Sequence, residues 1–333
     1  EICACLVGSE MCIRDRPLLH RFVSLRKKIL NVDDVHSYDL YVPLVDEINF
    51  EVTYEKAKGI VLAALAPLGE DYIAIVQKAF DERWIDVVEN KGKRTGAYSS
   101  GSYDTKPFIL LNWQNNLNNV YTLAHEMGHS VHSYFTRHNQ EYHYGDYPIF
   151  LAEIASTTNE GLLTDYLLKT NDDPKFQAYV LNQYLDGFKG TVFRQTQFAE
   201  FEQWIHEQSA AGVALTADEM STFYGSLNQK FYGSDLFPDE AIAYEWARIP
   251  HFYYNFYVYQ YSTGEAAATT LAERILTQNG AEDYKNYLKA GNSDYALNVI
   301  KKAGVNMSQP DYLNEAFKVF EERLNEFEKI MLK

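Results

Sequence analysis

The chain has 333 residues, 46% of them hydrophobic and 15% aromatic, enough to bury a large core and too apolar for a disordered or fibrous class. Its 30 basic and 46 acidic residues leave a formal charge of -16, which repels the phosphates of nucleic acids and of anionic lipid surfaces. All three cysteines (Cys3, Cys5 and Cys12) sit at the N-terminal end, so the remainder holds no disulfide framework and no cysteine-based metal or nucleophilic site.

No stretch reaches the roughly 18 apolar residues that a membrane span needs, and the first residues lack the charged, apolar and small-residue order of a signal segment. A cytoplasmic protein with neither nucleic-acid nor membrane partners is expected. Cys5 to Arg16 reads as a translated sequencing-adapter tail on a chain that starts at Glu1. Residues 1–16 are therefore set outside the fold, a genuine strand and turn being the alternative, and residues 17–333 are expected to form one domain.

From about Thr53 the apolar residues recur at helical spacing, as in Ala57, Ile60, Val61, Ala64 and Leu65, until Pro67 and Gly69 end the run. Residues 85–113 break that pattern. The stretches 85–89, 95–103 and 107–113 are short and β-rich, punctuated by Gly92, Gly96, Gly101 and Pro107, and predict a small sheet. Helices over Leu117–Phe135 and Ile149–Leu168 follow. Helical periods return over 174–210, 264–278 and 308–331, and Thr216 with Glu219 reads as a capping box. The expected fold class is mainly α, with a small β-sheet beside the 117–135 helix. The strand around Gly96, Ala97, Tyr98 and Ser99 can offer its edge to an extended peptide, which pairs by main-chain hydrogen bonds whatever its side chains.

The 117–135 helix carries His125-Glu-Met-Gly-His129. Histidines four residues apart project from one face, so both imidazoles can reach a single zinc at about 2.0–2.1 Å. Glu126 lies between them as the expected general base. A helix whose histidines merely cap a polar face is the alternative. A catalytic zinc keeps three protein ligands and one open position. His132 is a poor third ligand, because seven residues spread the rings over roughly 10 Å of helix axis, and it reads as a packed or surface histidine. The metzincin spacing is also excluded, since it wants glycine at 132 and histidine at 135 where this chain has His132 and Phe135. The 149–168 helix supplies Glu153 and Glu160 on one face. Glu153 is the expected third ligand. Glu160 is expected to accept the free ring N–H of a ligand histidine and fix its tautomer, an ordinary helix charge being the alternative.

Residues 251–261 hold His251 and five tyrosines. Taken as a helix at about 100° per residue, Tyr254 and Tyr261 share a face with His251 nearby, while Tyr253 and Tyr259 point elsewhere. His251, Tyr254 and Tyr261 are then expected to donate to the substrate carbonyl and to the oxyanion of the tetrahedral intermediate. An aromatic core stripe with hydroxyls at its edge is the alternative, and it stands level with the functional reading for Tyr257.

The His125-Glu-Met-Gly-His129 motif, followed by the run from Ile149 to Glu160, resembles oligoendopeptidase F, a bacterial family related to thimet oligopeptidase. The likeness extends from about Ser37 to the C-terminus and takes in Gly92–Ser100, Lys106–Trp113 and Arg248–Tyr254. Runs of this kind are far more specific than the zinc motif. The resemblance implies a mostly helical, zincin-type catalytic domain and one zinc per chain. It also implies oligopeptide substrates in cytoplasmic peptide turnover, the oxyanion role for residues 251–261, and a deep channel between an N-terminal and a C-terminal half. Full-length members carry a large helical N-terminal region. This chain is expected to begin close to the catalytic half and to lack most of one channel wall.

The expected function is a zinc-dependent metalloendopeptidase acting on internal bonds of oligopeptides. Zinc lowers the pKa of its water towards 7, and Glu126 takes the proton and returns it to the leaving amine. The alternative is a catalytically impaired, peptide-binding fragment that retains the zinc site. A structural zinc protein fits less well, because such sites close with four ligands rich in cysteine. Serine and nucleotide chemistry lack their G-x-S-x-G, G-x-G-x-x-G and P-loop strings.

Overall fold

The computed structural model describes residues 2–46, 48 and 50–333, with the side chains of residues 2–15, the cysteines among them, outside that description. Helices α1 (Ile2–Leu30), α2 (Tyr54–Leu65) and α3 (Glu70–Asp81) precede three short strands, β1 (Ile85–Asp86), β2 (Tyr98–Ser100) and β3 (Phe108–Leu110). Then come α4 (Leu117–Asn139), α5 (Ile149–Thr170), α6 (Pro174–Phe188), α7 (Arg194–Ala210), α8 (Ala217–Tyr232) and α9 (Tyr259–Thr277), and finally α10 (Ala281–Leu288), α11 (Ala296–Lys302) and α12 (Asp311–Met331). The architecture is mainly helical with a small sheet directly before the motif helix, as the sequence periods predict. Among the described residues no helix is long and apolar enough to cross a membrane.

Local chemistry accounts for the boundaries. Thr53 caps α2 by accepting the Lys56 N–H, and the chain leaves that helix through a 3-10 turn over Ala66–Leu68 to Gly69, whose φ of 96° suits glycine. Thr216 and Glu219 close the predicted capping box on α8. The helical period predicted over 174–210 is interrupted by one π-turn, Lys189–Phe193.

The chain divides into two compact units. The first comprises Glu1–Glu47, Pro174–Ala266 and Ser308–Lys333, and its core is aromatic, with Phe188 and Phe193 in ring contact with each other and each with Phe317 and Phe320. Arg16, the last residue of the segment set aside in the sequence, is buried here; it pairs with Glu200 at 2.9 Å and lies 4.8 Å over the Phe231 ring.

The second unit, Ile48–Asp173 with Ala267–Met307, contains the motif helix. Its sheet has the order β1-β3-β2, with β1 parallel and β2 antiparallel to β3. The N–H groups of Ile109 and Leu111 go to Trp84 and Asp86 on the β1 side. Phe108 and Leu110 therefore serve β2, and they pair there with Ser100 and Tyr98. By the same alternation the main-chain groups of Ala97 and Ser99 face the outer edge, which no other strand covers among the described residues. The side chains of Ser99 and buried Ile109 point to α4, while Tyr98, Ser100 and Phe108 are exposed on the other face.

Beneath the sheet, α4 packs along α5. Gly128 makes the approach possible: a Cβ at that position would stand 2.6 Å from Ser156 Cα and 3.0 Å from the Ala155 carbonyl oxygen. Buried hydroxyls fix α5 on its other sides. Tyr284 and Tyr287 of α10 donate to the carbonyls of Ala155 and Leu151 at 3.2 and 2.5 Å. Tyr72 of α3 donates to Asn159 Oδ1 at 3.0 Å, and the Asn159 amide donates in turn to the Ala124 carbonyl of α4. Tyr72→Phe removes one hydroxyl and leaves a buried acceptor unpaired. It is expected to lower stability by about 1–3 kcal/mol, read as a fall in the urea midpoint at unchanged slope. An unshifted midpoint would show that this network contributes nothing.

Candidate metal centre and active site

Three side chains of the second unit each present one donor atom within 4.8 Å of the others: His125 and His129 of α4 and Glu153 of α5. Their rings and carboxylate converge because residues four apart on α4 lie one turn apart, and Glu153 leaves α5 one turn before Ser156, against which Gly128 of α4 packs. Glu153 Oε2 stands 3.4 Å from His125 Nε2 and 3.6 Å from His129 Nε2. Ligands about 2.0–2.1 Å from a tetrahedral ion are themselves roughly 3.4 Å apart, so these donors fit a small ion. Two imidazoles and one carboxylate are a set that zinc takes readily and that magnesium and calcium, which prefer oxygen, do not.

The outer contacts orient the donors. His125 Nδ1 lies 2.6 Å from Glu160 Oε1, which fixes the tautomer that leaves Nε2 free, as expected of Glu160. The backbone of Ala152 lies beside the His129 ring and favours its charged form. Ser156, fully buried, donates to the Glu153 carbonyl at 3.0 Å and to Glu153 Oε2 at 3.3 Å. Sequence reasoning missed Ala152 and Ser156. The serine three residues past a ligand carboxylate was a usable signal, since helical Ser commonly hydrogen-bonds back to the preceding turn.

Burial alone lowers the pKa of His125, yet hydrogen bonds to Glu153 and Glu160 outweigh it and push the value up to about 10. Burial takes His129 the other way, down to about 4, and the neighbouring His125 charge adds to that fall. The hydrogen bond from His125 holds Glu153 below the usual carboxylate range despite burial. Two imidazoles and the carboxyl groups of Glu126, Glu153 and Glu160 meet here, and a dication would supply positive charge that His129, held neutral by burial, does not.

Glu126 is buried. Burial pushes its carboxyl up; the His125 charge opposes this, Glu153 and Glu160 add to it, and the N–H of Ser99, which the carboxylate accepts, draws it back. Glu126 Oε2 has no hydrogen-bond partner among the described residues. Of the strand residues singled out in the sequence, Ala97 presents its main chain and Ser99 its carbonyl to the open edge. Tyr98 pairs with β3, and the Gly96 carbonyl accepts the Asn112 amide at 2.9 Å.

His132 is buried and stacks on Tyr147 at 3.6 Å between ring centroids. It is a packed histidine, one of the two readings the sequence allowed.

The helical period assumed for residues 251–261 does not hold. Pro250–Tyr253 is a 3-10 turn, Asn255 and Phe256 are left-handed at φ 53° and 59°, and α9 begins only at Tyr259. Tyr254 and Tyr261 therefore share no helix face, because two left-handed residues between them reset the direction of every side chain that follows. The reversal still gathers aromatic groups in the first unit. His251 lies within 6.0 Å, ring to ring, of Tyr254, Tyr257 and Tyr261, with Tyr257 at the centre of the cluster alongside it.

Residues 9–319 match the model of Peptidase family M3. The chain belongs to that family. It is 54% identical to Oligopeptidase PepF of Bacillus subtilis (strain 168), over 95% of this chain and 48% of that protein. It is 57% identical to the chromosomal Oligoendopeptidase F of Lactococcus lactis subsp. cremoris, over 95% of this chain and 53% of that protein. The crystal structure of oligoendopeptidase-F from Enterococcus faecium superposes with a TM-score of 0.79 at 46% identity, covering 99% of this chain and 53% of that one. This M3 chain thus spans about half the length of the relatives it matches.

Gly128→Ala forces a methyl group onto the backbone of α5, where nothing flexible can yield. It is expected to cost about 1–3 kcal/mol of stability and to weaken zinc binding by displacing Glu153, both measurable on one sample by denaturant unfolding and chelator competition. Unchanged metal affinity would show that the helix spacing does not set the donor geometry. Glu160→Ala should leave the fold intact and lower zinc affinity roughly 10- to 100-fold, and equal affinity would remove Glu160 from the centre.

Proposed function

We propose that this chain is the zinc-dependent catalytic part of an endopeptidase that hydrolyses internal bonds of oligopeptides. The observation that carries the reading is the meeting, within one unit, of a two-histidine, one-carboxylate donor set with a buried carboxylate, Glu126, whose Oε2 is unpartnered, and with an open strand edge. Family membership and the names of the relatives, oligopeptidase and oligoendopeptidase, support it.

In this reading His125, His129 and Glu153 hold the ion. Bound there, zinc supplies Lewis acidity, polarising a carbonyl and making water acidic near neutral pH. Glu160 keeps the His125 imidazole turned to offer its Nε2, and His129 Nε2 faces the same Glu153 oxygen. Glu126 takes the proton of the attacking water on its free oxygen and passes it to the leaving amine. The main-chain groups of Ala97 and the carbonyl of Ser99 hold the peptide as an added strand. The hydroxyls of Tyr254 and Tyr261 and the His251 imidazole are assigned to the developing oxyanion. The cysteine usage and acidic composition favour a cytoplasmic setting for this turnover.

The direct experiment incubates the zinc-loaded chain with a quenched fluorescent peptide library, with and without chelator. Chelator-sensitive cleavage at internal bonds is expected. Peptide binding without cleavage would favour a peptide-binding piece that retains its zinc site. Glu126→Gln keeps the shape and loses the proton acceptor, so metal content should stay and turnover should vanish; near wild-type turnover would remove Glu126 from the mechanism. Tyr254→Phe and Tyr261→Phe each delete one hydroxyl, and at least one should lower kcat by roughly 10²- to 10³-fold. Two variants with wild-type kcat would return the cluster to a packing role.

A further inference from the structure

Ser99 makes three connections. Its side chain meets Ser130 of α4, Oγ to Oγ, at 2.8 Å. Its N–H reaches the carboxylate of Glu126, and by the alternation of the sheet its carbonyl faces the open edge. Ser130 is fully buried and follows the proposed ligand His129 directly. An inward-facing strand position over a helix ordinarily takes a β-branched apolar residue, which packs better than serine. A buried hydroxyl pair gives up that packing for a bond of defined length and direction.

The strand needs such a bond. β2 is three residues long and is paired on one side only, and so short a strand is weakly held by its ladder alone. Two other side chains secure the same segment, farther along it: Asn112 holds the carbonyls of Arg94 and Gly96, and Arg137 reaches the Gly101 carbonyl at 3.2 Å. Ser99–Ser130 is the side-chain tie closest to Glu126, and it orients the same residue whose N–H the Glu126 carboxylate accepts.

We propose that the Ser99–Ser130 hydroxyl pair is a positioning joint, which fixes β2 and any peptide lying along it at one register over Glu126. The proposal rests on the peptidase reading above. Without the joint the strand can shift relative to α4, so the wrong peptide bond comes under attack or the right one is held too loosely. The metal donors, on α4 and α5, do not depend on it.

The test uses the full zinc-loaded chain with Ser130→Ala, Ser99→Ala, the double variant and Ser99→Thr, which keeps the hydroxyl. Ser130→Ala should lower kcat about tenfold with KM changed less than about twofold. It should add new cleavage positions to the product map read by mass spectrometry and leave zinc affinity unchanged. Ser99→Ala should match it, the double variant should be no worse than either single one, and Ser99→Thr should restore the wild-type product map. A wild-type product map and kcat in Ser130→Ala, fully additive losses, or a loss of zinc in step with kcat would each overturn the joint. Should Ser130→Ala be insoluble, Ser99→Ala carries the test from a half-buried strand position. If the wild-type chain cleaves no peptide, the peptidase reading fails separately, and amide hydrogen exchange over residues 97–100 decides. Exchange about fivefold faster or more in the variant supports the joint, and equal exchange overturns it.

Discussion

Where α4 crosses α5, Gly128 leaves no space for a methyl group: a Cβ there would lie 2.6 Å from the backbone of Ser156. Every proposed donor depends on that approach. His125 and His129 come from one helix, Glu153 and Glu160 from the other, and the separations of 3.4 and 3.6 Å between carboxylate and imidazoles exist only if the two backbones nearly touch. The interior is close-packed, so a shift at the crossing is transmitted to the side chains rather than absorbed. The tyrosine hydroxyls on the carbonyls of Leu151 and Ala155, and the Tyr72–Asn159–Ala124 relay, hold α5 in place from its other faces.

A centre of this kind is costly to build without an ion. Three carboxylates share one small volume with two partly buried imidazoles, and only one of these takes a proton readily. The arrangement persists because the carboxylates are committed to partners: Glu153 to His125 and Ser156, Glu160 to His125, Glu126 to the N–H of Ser99. A dication adds the missing charge, which is why metal binding and the integrity of this region should be linked. The strand enters the same design through Ser99, so the groups that would hold a peptide and the group that would move its proton are joined through one residue.

Much of this was legible in the sequence because it depends on short-range periodicity. The spacing of His125 and His129, and of Glu153 and Glu160, places side chains on helix faces whatever the rest of the chain does. The glycine and proline punctuation likewise marks the sheet. What the sequence hid depends on contacts between distant segments. The roles of the Ala152 backbone and the Ser99–Ser130 pair follow from how α4 crosses α5 and how β2 registers on β3, and no local pattern encodes those placements. Gly128 was readable in principle, since glycine inside a helix costs about 0.5–1 kcal/mol relative to alanine and implies a close approach. The segment 251–261 misled for the opposite reason. Its tyrosine density revealed a cluster, but a uniform helical period was imposed across Asn255, a residue type that tolerates left-handed backbone.

The proposed chemistry depends on which atoms hold the ion, and the most direct measurement is a crystal structure of the zinc-loaded chain with anomalous difference density collected at the zinc edge. One peak is expected, bonded to His125 Nε2, His129 Nε2 and a Glu153 carboxylate oxygen at about 2.0–2.2 Å, with Glu160 still on His125 Nδ1. A peak coordinated by His132, a peak that omits Glu153, or a His125 ring that offers Nδ1 to the ion would contradict it.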